Sequence, residues 1–390
     1  MKIAQRMRGI ASFKVMEILA LARAMEAQGR DVVHMEIGEP DFVSPQPVLD
    51  AAQAACKAGH THYTPAAGLG QLREAIAAYY DKSLGVAVDP RRILVTPGAS
   101  GALQLVLGVL INPGDRVLLT DPGYPCNRHM IGMYGGVPVN LPVTPENEYA
   151  LLPEQLAGGL QDGATALMLA SPANPTGNLI DLDAMGVLNT HLRQLSDAVL
   201  ICDEIYQGLQ YGSAPRTALS LGADNVVVIN SFSKFFGMTG WRLGWIVAPE
   251  WMIEPMERLA QNLFLAAPTV AQHAALAAFS DENLEILEQR RQAFQVRRDL
   301  LYRELVGLGL GVGGIPAGAF YIYTDMARFT DDSMDFTRDL LEVSGVAVTP
   351  GLDFGTYKAA QHVRFAYTTG LDRLEEGIAR LAQYLRAGSD

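Results

Sequence analysis

The sequence is poor in several features that would mark other protein classes. It has three cysteines in 390 residues. Cys56, Cys126 and Cys202 lie about 70 residues apart with no paired spacing, which fits reduced thiols and argues against a disulfide framework or a zinc site. No apolar run reaches the roughly 18 residues that a spanning helix needs. The longest apolar stretch near the start, Val15 to Ala27, is broken by Glu17, Arg23 and Glu26, so it is not read as a secretory signal. Basic residues are also few. Lys and Arg number 30 against 42 Asp and Glu, a net charge of −12, with a pI near 5.1. That balance argues against a nucleic-acid partner, which needs a basic footprint, and against an anionic membrane surface. A cytoplasmic location is the expectation.

Apolar material is plentiful, at 49% of residues, enough to bury a sizeable core. At roughly 150 residues per domain, the length suggests two or three domains. Short apolar runs bounded by Gly, Pro, Asp or Asn recur at 92–96, 116–120, 164–170, 198–202, 225–229 and 243–248, with helical periods between several of them. Strands of this kind are buried on both faces, as in a mostly parallel sheet covered by helices. This large domain is placed at 46–284. A charged helical stretch at 281–306 follows and reads as a solvent-lined connector. A strand at 319–324, a helix at 333–344, a strand at 362–366 and a closing helix from Leu371 then suggest a smaller α+β domain. Residues 1–45 are assigned to it together with 285–390.

Lysine usage offers a chemical lead. Of six lysines (Lys2, Lys14, Lys57, Lys82, Lys234 and Lys358), five have charged or strongly polar company or lie in expected surface helices; Lys234 does not, and it is the only charged residue from Asn225 to Trp241. An ammonium in apolar surroundings has a depressed pKa. Making half of it neutral at pH 7 requires roughly 4.6 kcal/mol relative to a free lysine, which desolvation or conversion to an imine can supply. A snorkelling surface lysine is the plainer alternative. Cys202-Asp203-Glu204-Ile205-Tyr206 ends a strand, where an acid lies on the ligand rim of an open α/β sheet or caps a helix. Thr96-Pro-Gly-Ala-Ser-Gly-Ala102 joins a strand to a helix with small residues that let backbone N–H groups approach an anion. It matches neither the nucleoside-triphosphate loop nor the dinucleotide fingerprint. In Ser171-Pro-Ala-Asn-Pro-Thr-Gly177, Asn174 is held extended by the proline after it, with its amide free. Ser231, Ser233 and Arg242 around Lys234 would suit a phosphate. Arg364 is a lone arginine in an apolar strand and calls for an anion partner, either a ligand or a structural ion pair.

Taken together, these segments resemble the class I/II, fold-type I aminotransferases that use pyridoxal 5′-phosphate. The most specific match is Ser231-Phe-Ser-Lys-Phe-Phe-Gly-Met-Thr-Gly-Trp-Arg242, supported by Asn-Pro-Thr-Gly at 174–177 and Asp-Glu-x-Tyr at 203–206. The resemblance implies an α/β fold with a large cofactor-binding domain and a smaller α+β domain. It implies that Lys234 bonds the cofactor and later shuttles a proton, that Asp203 faces the ring nitrogen, and that Tyr206 and Asn174 donate to the ring hydroxyl oxygen. Tyr124 would stack on the ring. Gly98, Ala99, Ser100, Ser231, Ser233 and Arg242 would hold the phosphate. Tyr63 would reach the phosphate of a neighbouring subunit, which implies a homodimer with shared active sites. Arg364 would clamp the substrate α-carboxylate beside Gly38 and Asn174. The implied reaction moves an amino group from an L-amino acid to a 2-oxo acid with ping-pong kinetics.

The same fold also hosts lyases and decarboxylases, and a non-catalytic cofactor-binding regulator is a further reading. A nicotinamide dehydrogenase is weakened by the missing glycine fingerprint. No metal is expected; a site at His60-x-His62 is weighed against a solvated turn. Arg23, Arg128 and Arg216 are candidates to read a side-chain carboxylate, and surface roles are the alternative. The apolar content of Arg8-Gly-Ile-Ala-Ser-Phe13, which is expected to cover the side-chain pocket, leans toward neutral or apolar amino acids.

Overall fold

A computed structural model describes residues 3–387, so Lys2 lies outside the described residues. A seven-stranded sheet forms the centre. Its strands are β1 Ile93–Thr96, β2 Arg116–Asp121, β3 Val137–Pro142, β4 Ala166–Ala170, β5 Val199–Asp203, β6 Val226–Ser231 and β7 Gly244–Val247. They lie in the order β1-β7-β6-β5-β4-β2-β3. β2, β3, β4, β5 and β6 pair in parallel, and β7 runs antiparallel to both β1 and β6.

Alternation along each strand divides its apolar side chains between two cores, one on each face. Val95, Leu118, Leu167, Leu200, Val228 and Val247 belong to one; Leu94, Val117, Met168, Ile201, Val227 and Ile246 belong to the other. Burial on both faces explains why these strands read as short continuous apolar runs. The edge strand β3 does not read that way. Its residues are half exposed and include Pro138 and Pro142, and a proline that cannot donate to the ladder is tolerated only at an edge.

A third core gathers Met35, Phe294, Leu301, Phe320, Ile322, Leu340, Phe365 and Leu381 around a four-stranded sheet. In that sheet Tyr321–Asp325 pairs antiparallel with His362–Ala366. The helix Asp281–Gly307 joins the two parts. The sequence pattern assigns it to solvent, but it carries Leu287 into the large-sheet core and Phe294, Leu301 and Leu305 into the small one. Its Arg297 is buried too, and both of its terminal nitrogens reach the Asp41 carboxylate, at 2.8 and 2.9 Å. The apolar stretch near the start is an amphipathic helix, Lys14–Glu26. Its first two amides donate to Asp353 at 2.8 Å each, a capping acid 338 positions away from Val15 that no local sequence window contains.

Candidate active site

Because β1, β2, β4, β5 and β6 run the same way, their carboxyl ends meet on one rim, where ligands bind in open α/β sheets. β7 starts at that rim because it runs the other way, and Arg242 lies just ahead of it. The topology therefore collects residues from five separate segments: Gly98, Ala99 and Ser100 after β1, Tyr124 after β2, Asn174 after β4, Asp203 ending β5, and Ser231, Lys234 and Arg242 from the end of β6 and its connection to β7. Arg364 comes from the smaller sheet and Gly38 from the loop after the strand Val33–His34.

One end of the site is built for an anion. The helix after β1 starts at Gly98 and has neither a side-chain cap nor an acid in its first turn. Its leading N–H groups are left for a ligand. Gly98 has φ +70°, and a Cβ there would stand 2.7 Å from Nη2 of Arg242, so a side chain would push the guanidinium away. Gly244 is just as confined: its Cβ would lie 2.8 Å from the Gly98 carbonyl carbon and 2.9 Å from the Ala99 nitrogen. Arg242 itself has φ 54° and gives Nη1 to the Thr239 carbonyl at 3.0 Å. Ser231 Oγ accepts the Ser233 amide at 3.0 Å, and both serines are buried.

At the centre, Lys234 donates to the Gly38 carbonyl at 2.6 Å. Its ammonium lies 5.8 and 5.7 Å from the ring centroids of Tyr206 and Phe320. Burial, with Arg364 and Arg242 nearby, pushes the amine down to about 8. Asp203 is pushed up to about 6, first by burial, against the Ile205 amide and Lys234. Its one recorded donor is that amide, at 3.2 Å. Tyr206 shares a 2.9 Å hydrogen bond with Tyr321.

At the far end, Arg364 gives Nη1 to Asn174 Oδ1 at 2.9 Å and Nη2 to the Glu36 carbonyl at 2.5 Å. Its guanidinium lies 4.1 Å from the Tyr321 ring centroid and 4.8 Å from that of Phe354. Its Nε is buried with no partner. The amide of Asn174 is thus not free, as the sequence suggested. Arginine can only donate, so Oδ1 is taken and the NH2 group remains available. The structural ion pair that could have explained Arg364 is not present: no carboxylate lies within ion-pair distance among the described residues.

Some residues do not join this group. Tyr63 is 85% exposed and makes no hydrogen bond or ring contact with the group among the described residues. Arg23 and Arg216 are exposed, and Arg128 is partly buried facing Asp121 and Asp353. His60 stacks on His273 at 4.2 Å, and no metal-binding cluster occurs among the described residues. Tyr321 is the main residue the sequence reading lacks. A Cβ on Gly38 would fall inside its hydroxyl, so Tyr321 touches Gly38, Tyr206 and Arg364 at once. The carboxyl of Glu204, buried behind Asp203, is also absent from that reading. It takes the Ala218 amide at 2.7 Å and the Gln207 amide at 2.9 Å, and Gln207 in turn holds Asn230 at 3.1 Å.

A family model described as aminotransferase class I and II matches residues 30–381. The chain belongs to this family. A (5-formylfuran-3-yl)methyl phosphate transaminase from Methanocaldococcus jannaschii is 35% identical over 98% of this chain and 99% of its own. A valine–pyruvate aminotransferase from Mycobacterium tuberculosis is 34% identical over 97% of each chain. The crystal structure of an aminotransferase from M. tuberculosis superposes with a TM-score of 0.95 at 34% identity, covering 99% of this chain and 100% of that one. This aminotransferase therefore has the fold-type I architecture, uses pyridoxal 5′-phosphate, and acts on amino and oxo acids.

The residues present fit that cofactor. Lys234, Asp203, Arg242 and Arg364 are the charged side chains of the group, and none has an ion-pair partner within 4 Å among the described residues. Three cations and one anion are the complement of a phosphate, a substrate carboxylate and a protonated ring nitrogen. Arg242 is exposed and Lys234 partly buried, but Asp203 and Arg364 are buried; the cofactor-free protein bears that burial unaided, and Asp203 makes it measurable. Its folded pKa of about 6 lies above its ordinary 3.8. The charged form is therefore disfavoured, with no penalty below about pH 4 and the full penalty above about pH 6. In cofactor-free protein, Asp203→Asn should match the parent in urea at pH 4. Above pH 6 it should exceed the parent by about 3 kcal/mol. Equal midpoints at both pH values would show that Asp203 carries no such penalty.

Proposed function

We propose that the group assembled at the sheet rim divides the work of transamination as follows. Gly98, Ala99, Ser100, Ser231, Ser233 and Arg242 bind the cofactor phosphate. Asp203 holds a proton on the ring nitrogen, Tyr206 and Asn174 donate to the ring hydroxyl oxygen, and Tyr124 covers one face of the ring. Bound pyridoxal phosphate supplies a carbonyl that takes up the amino group and a protonated ring that draws electrons from the substrate α-carbon. Lys234 would hold the cofactor carbonyl at rest, and once the substrate amine has displaced it from that bond, its freed amine would take the α-proton. A value near 8 suits that task, because a neutral fraction exists near neutral pH and the conjugate acid can return the proton. Arg364 binds the α-carboxylate with the N–H groups that Asn174, Thr349 and the Glu36 carbonyl leave free, beside Gly38. The single observation that carries this reading is that four charges converge on one rim without partners of their own.

The test is spectral. Adding an amino acid without an oxo-acid acceptor should bleach the visible absorption of the loaded enzyme, and pyruvate or 2-oxoglutarate should restore it, as ping-pong exchange requires. Lys234→Ala should abolish turnover; undiminished catalysis in that variant would remove the assignment.

The amino donor is proposed to be neutral or apolar. The Phe13 ring stands edge-on to Tyr124 at 6.4 Å, and Arg128, the candidate cation nearest the site, already faces two aspartates. In a panel of donors assayed with pyruvate and 2-oxoglutarate, apolar amino acids should exceed aspartate in kcat/KM by at least about tenfold, or 1.4 kcal/mol. Faster turnover of aspartate would overturn this preference.

The active form is proposed to be a cytoplasmic homodimer away from membranes. No described helix is long and apolar enough to cross one. The exposed Tyr63 is assigned to the partner's phosphate. Tyr63→Phe should weaken cofactor binding about tenfold, the loss expected for one hydrogen bond to a charged group. Unchanged affinity would leave Tyr63 out of the site. The domain division is proposed at 46–284 against 1–45 with 285–390, in keeping with separate cores on the two sheets.

A further inference from the structure

Glu36 lies outside the roles described so far, yet its side chain is 0% exposed. One carboxylate oxygen, Oε1, is 2.7 Å from Nδ1 of His34, and the other, Oε2, is buried without a partner. The second ring nitrogen of His34 is 3.2 Å from Glu26. The two carboxylates, Glu36 foremost, push the imidazole up to about 9 against its burial. It is therefore charged at neutral pH and donates from both nitrogens. A buried carboxylate with one charged partner is costly to keep, so its placement needs a physical reason.

The backbone of the same residue supplies one. Residue 35 is tied on both sides: Met35 N donates to Ala347 O at 2.9 Å, and Ala366 N donates to Met35 O at 2.7 Å. Directly beyond that anchor, the Glu36 carbonyl accepts Arg364 Nη2 at 2.5 Å and Thr349 Oγ1 at 2.8 Å. With residue 35 fixed, the direction of the carbonyl depends on the dihedral angles of residue 36, and these depend on where its side chain is anchored. His34, two positions back on the same face of the extended chain, is that anchor.

We propose that Glu36, held by His34, is a positioning residue that aims its own carbonyl at Arg364 and so sets the direction in which the guanidinium meets the substrate carboxylate. This rests on the reading of Arg364 as the carboxylate clamp. Without the imidazolium, the buried Glu36 carboxylate has no charged partner and must turn outward. That turn frees the carbonyl, and Arg364 loses one of its three hydrogen bonds, which go to Asn174, Thr349 and the Glu36 carbonyl. Carboxylate affinity should fall while proton transfer at Lys234, on the other side of the site, continues.

The experiment uses the cofactor-loaded enzyme. Binding of 4-methylpentanoate, a carboxylate without an amino group, is measured by calorimetry. KM and kcat for leucine and the thermal midpoint are measured alongside. Glu36→Ala and His34→Ala should each raise the dissociation constant and KM about tenfold, while kcat stays within about twofold. Glu36→Gln, which still accepts from His34, should restore most of the affinity. A purely structural pair would shift the thermal midpoint without this split. If Glu36→Ala does not fold, His34→Ala, at a partly exposed position, decides alone. Native affinity for both ligands in the alanine variants overturns the proposal. Arg364→Lys separates the two readings. If it loses affinity while the pair variants keep theirs, only the positioning role fails; if it too binds normally, the clamp reading itself fails.

Discussion

The structure depends on holding four side-chain charges close together without neutralising them. A lone buried charge is disfavoured by several kcal/mol, and proteins usually pair it or let it change protonation. Lys234, Asp203, Arg242 and Arg364 do not pair with one another, although Lys234 feels all the other three. Asp203 and Lys234 respond as expected, the acid pushed up to about 6 and the amine down to about 8. Such an arrangement persists only in a frame rigid enough to stop the charges collapsing into salt bridges. A ligand of opposite charge pattern then stabilises the folded protein through its preferential binding.

The frame is the seven-stranded sheet. Parallel strands place their carboxyl ends on one rim, and those of β2, β4, β5 and β6 each deliver a residue on a backbone already fixed by two neighbouring strands, while the edge strand β1 is held by β7 alone. The exception, β7, is equally necessary. Its reversed direction puts its start, and so Arg242, on the rim opposite the end of β1. Gly244 then lets the β1–helix junction come within van der Waals contact of the strand. A parallel β7 would place Arg242 at the opposite edge of the sheet. The mixed topology is thus what sets the arginine beside the uncapped helix start.

Most of this frame was legible because buried strands leave a strong local signature. The runs at 116–120, 225–229 and 362–366 appear as strands within two residues of their expected ends. Residues of the resembling motifs were legible for a different reason, since chemistry needs particular side chains at particular spacings along one segment. What escaped depends on contacts between distant segments. The strand β3 carries two prolines that suit only an edge. The long helix at 281–307 looks polar because its buried face includes Arg297 and Arg298, which burial alone would not predict; Arg297 is offset by Asp41 from the other end of the sequence. Tyr321 is one apolar-strand aromatic among several, and only its proximity to Gly38 and Arg364 distinguishes it. Asp353 caps a helix it follows by more than three hundred residues.

These long-range contacts share a purpose in the smaller half of the protein. Arg364 must reach the large sheet from a strand outside it, so its direction is set by whatever surrounds that strand. The Tyr321 and Phe354 rings pack against its guanidinium, and Asn174, Thr349 and the Glu36 carbonyl hold its ends. The segment carrying Phe354 is itself fixed to the large sheet: the Gly123 amide donates to the Phe354 carbonyl at 2.8 Å, and Asp121 accepts from Thr356 at 2.9 Å. The same segment caps the helix that follows Phe13, the ring set against Tyr124. One short stretch, 351–357, therefore registers Arg364, the proposed carboxylate clamp, against Tyr124, the aromatic proposed to cover the cofactor. The distance between those two ends decides whether a substrate α-carbon lies within reach of Lys234, and it is held by loop contacts rather than by either sheet.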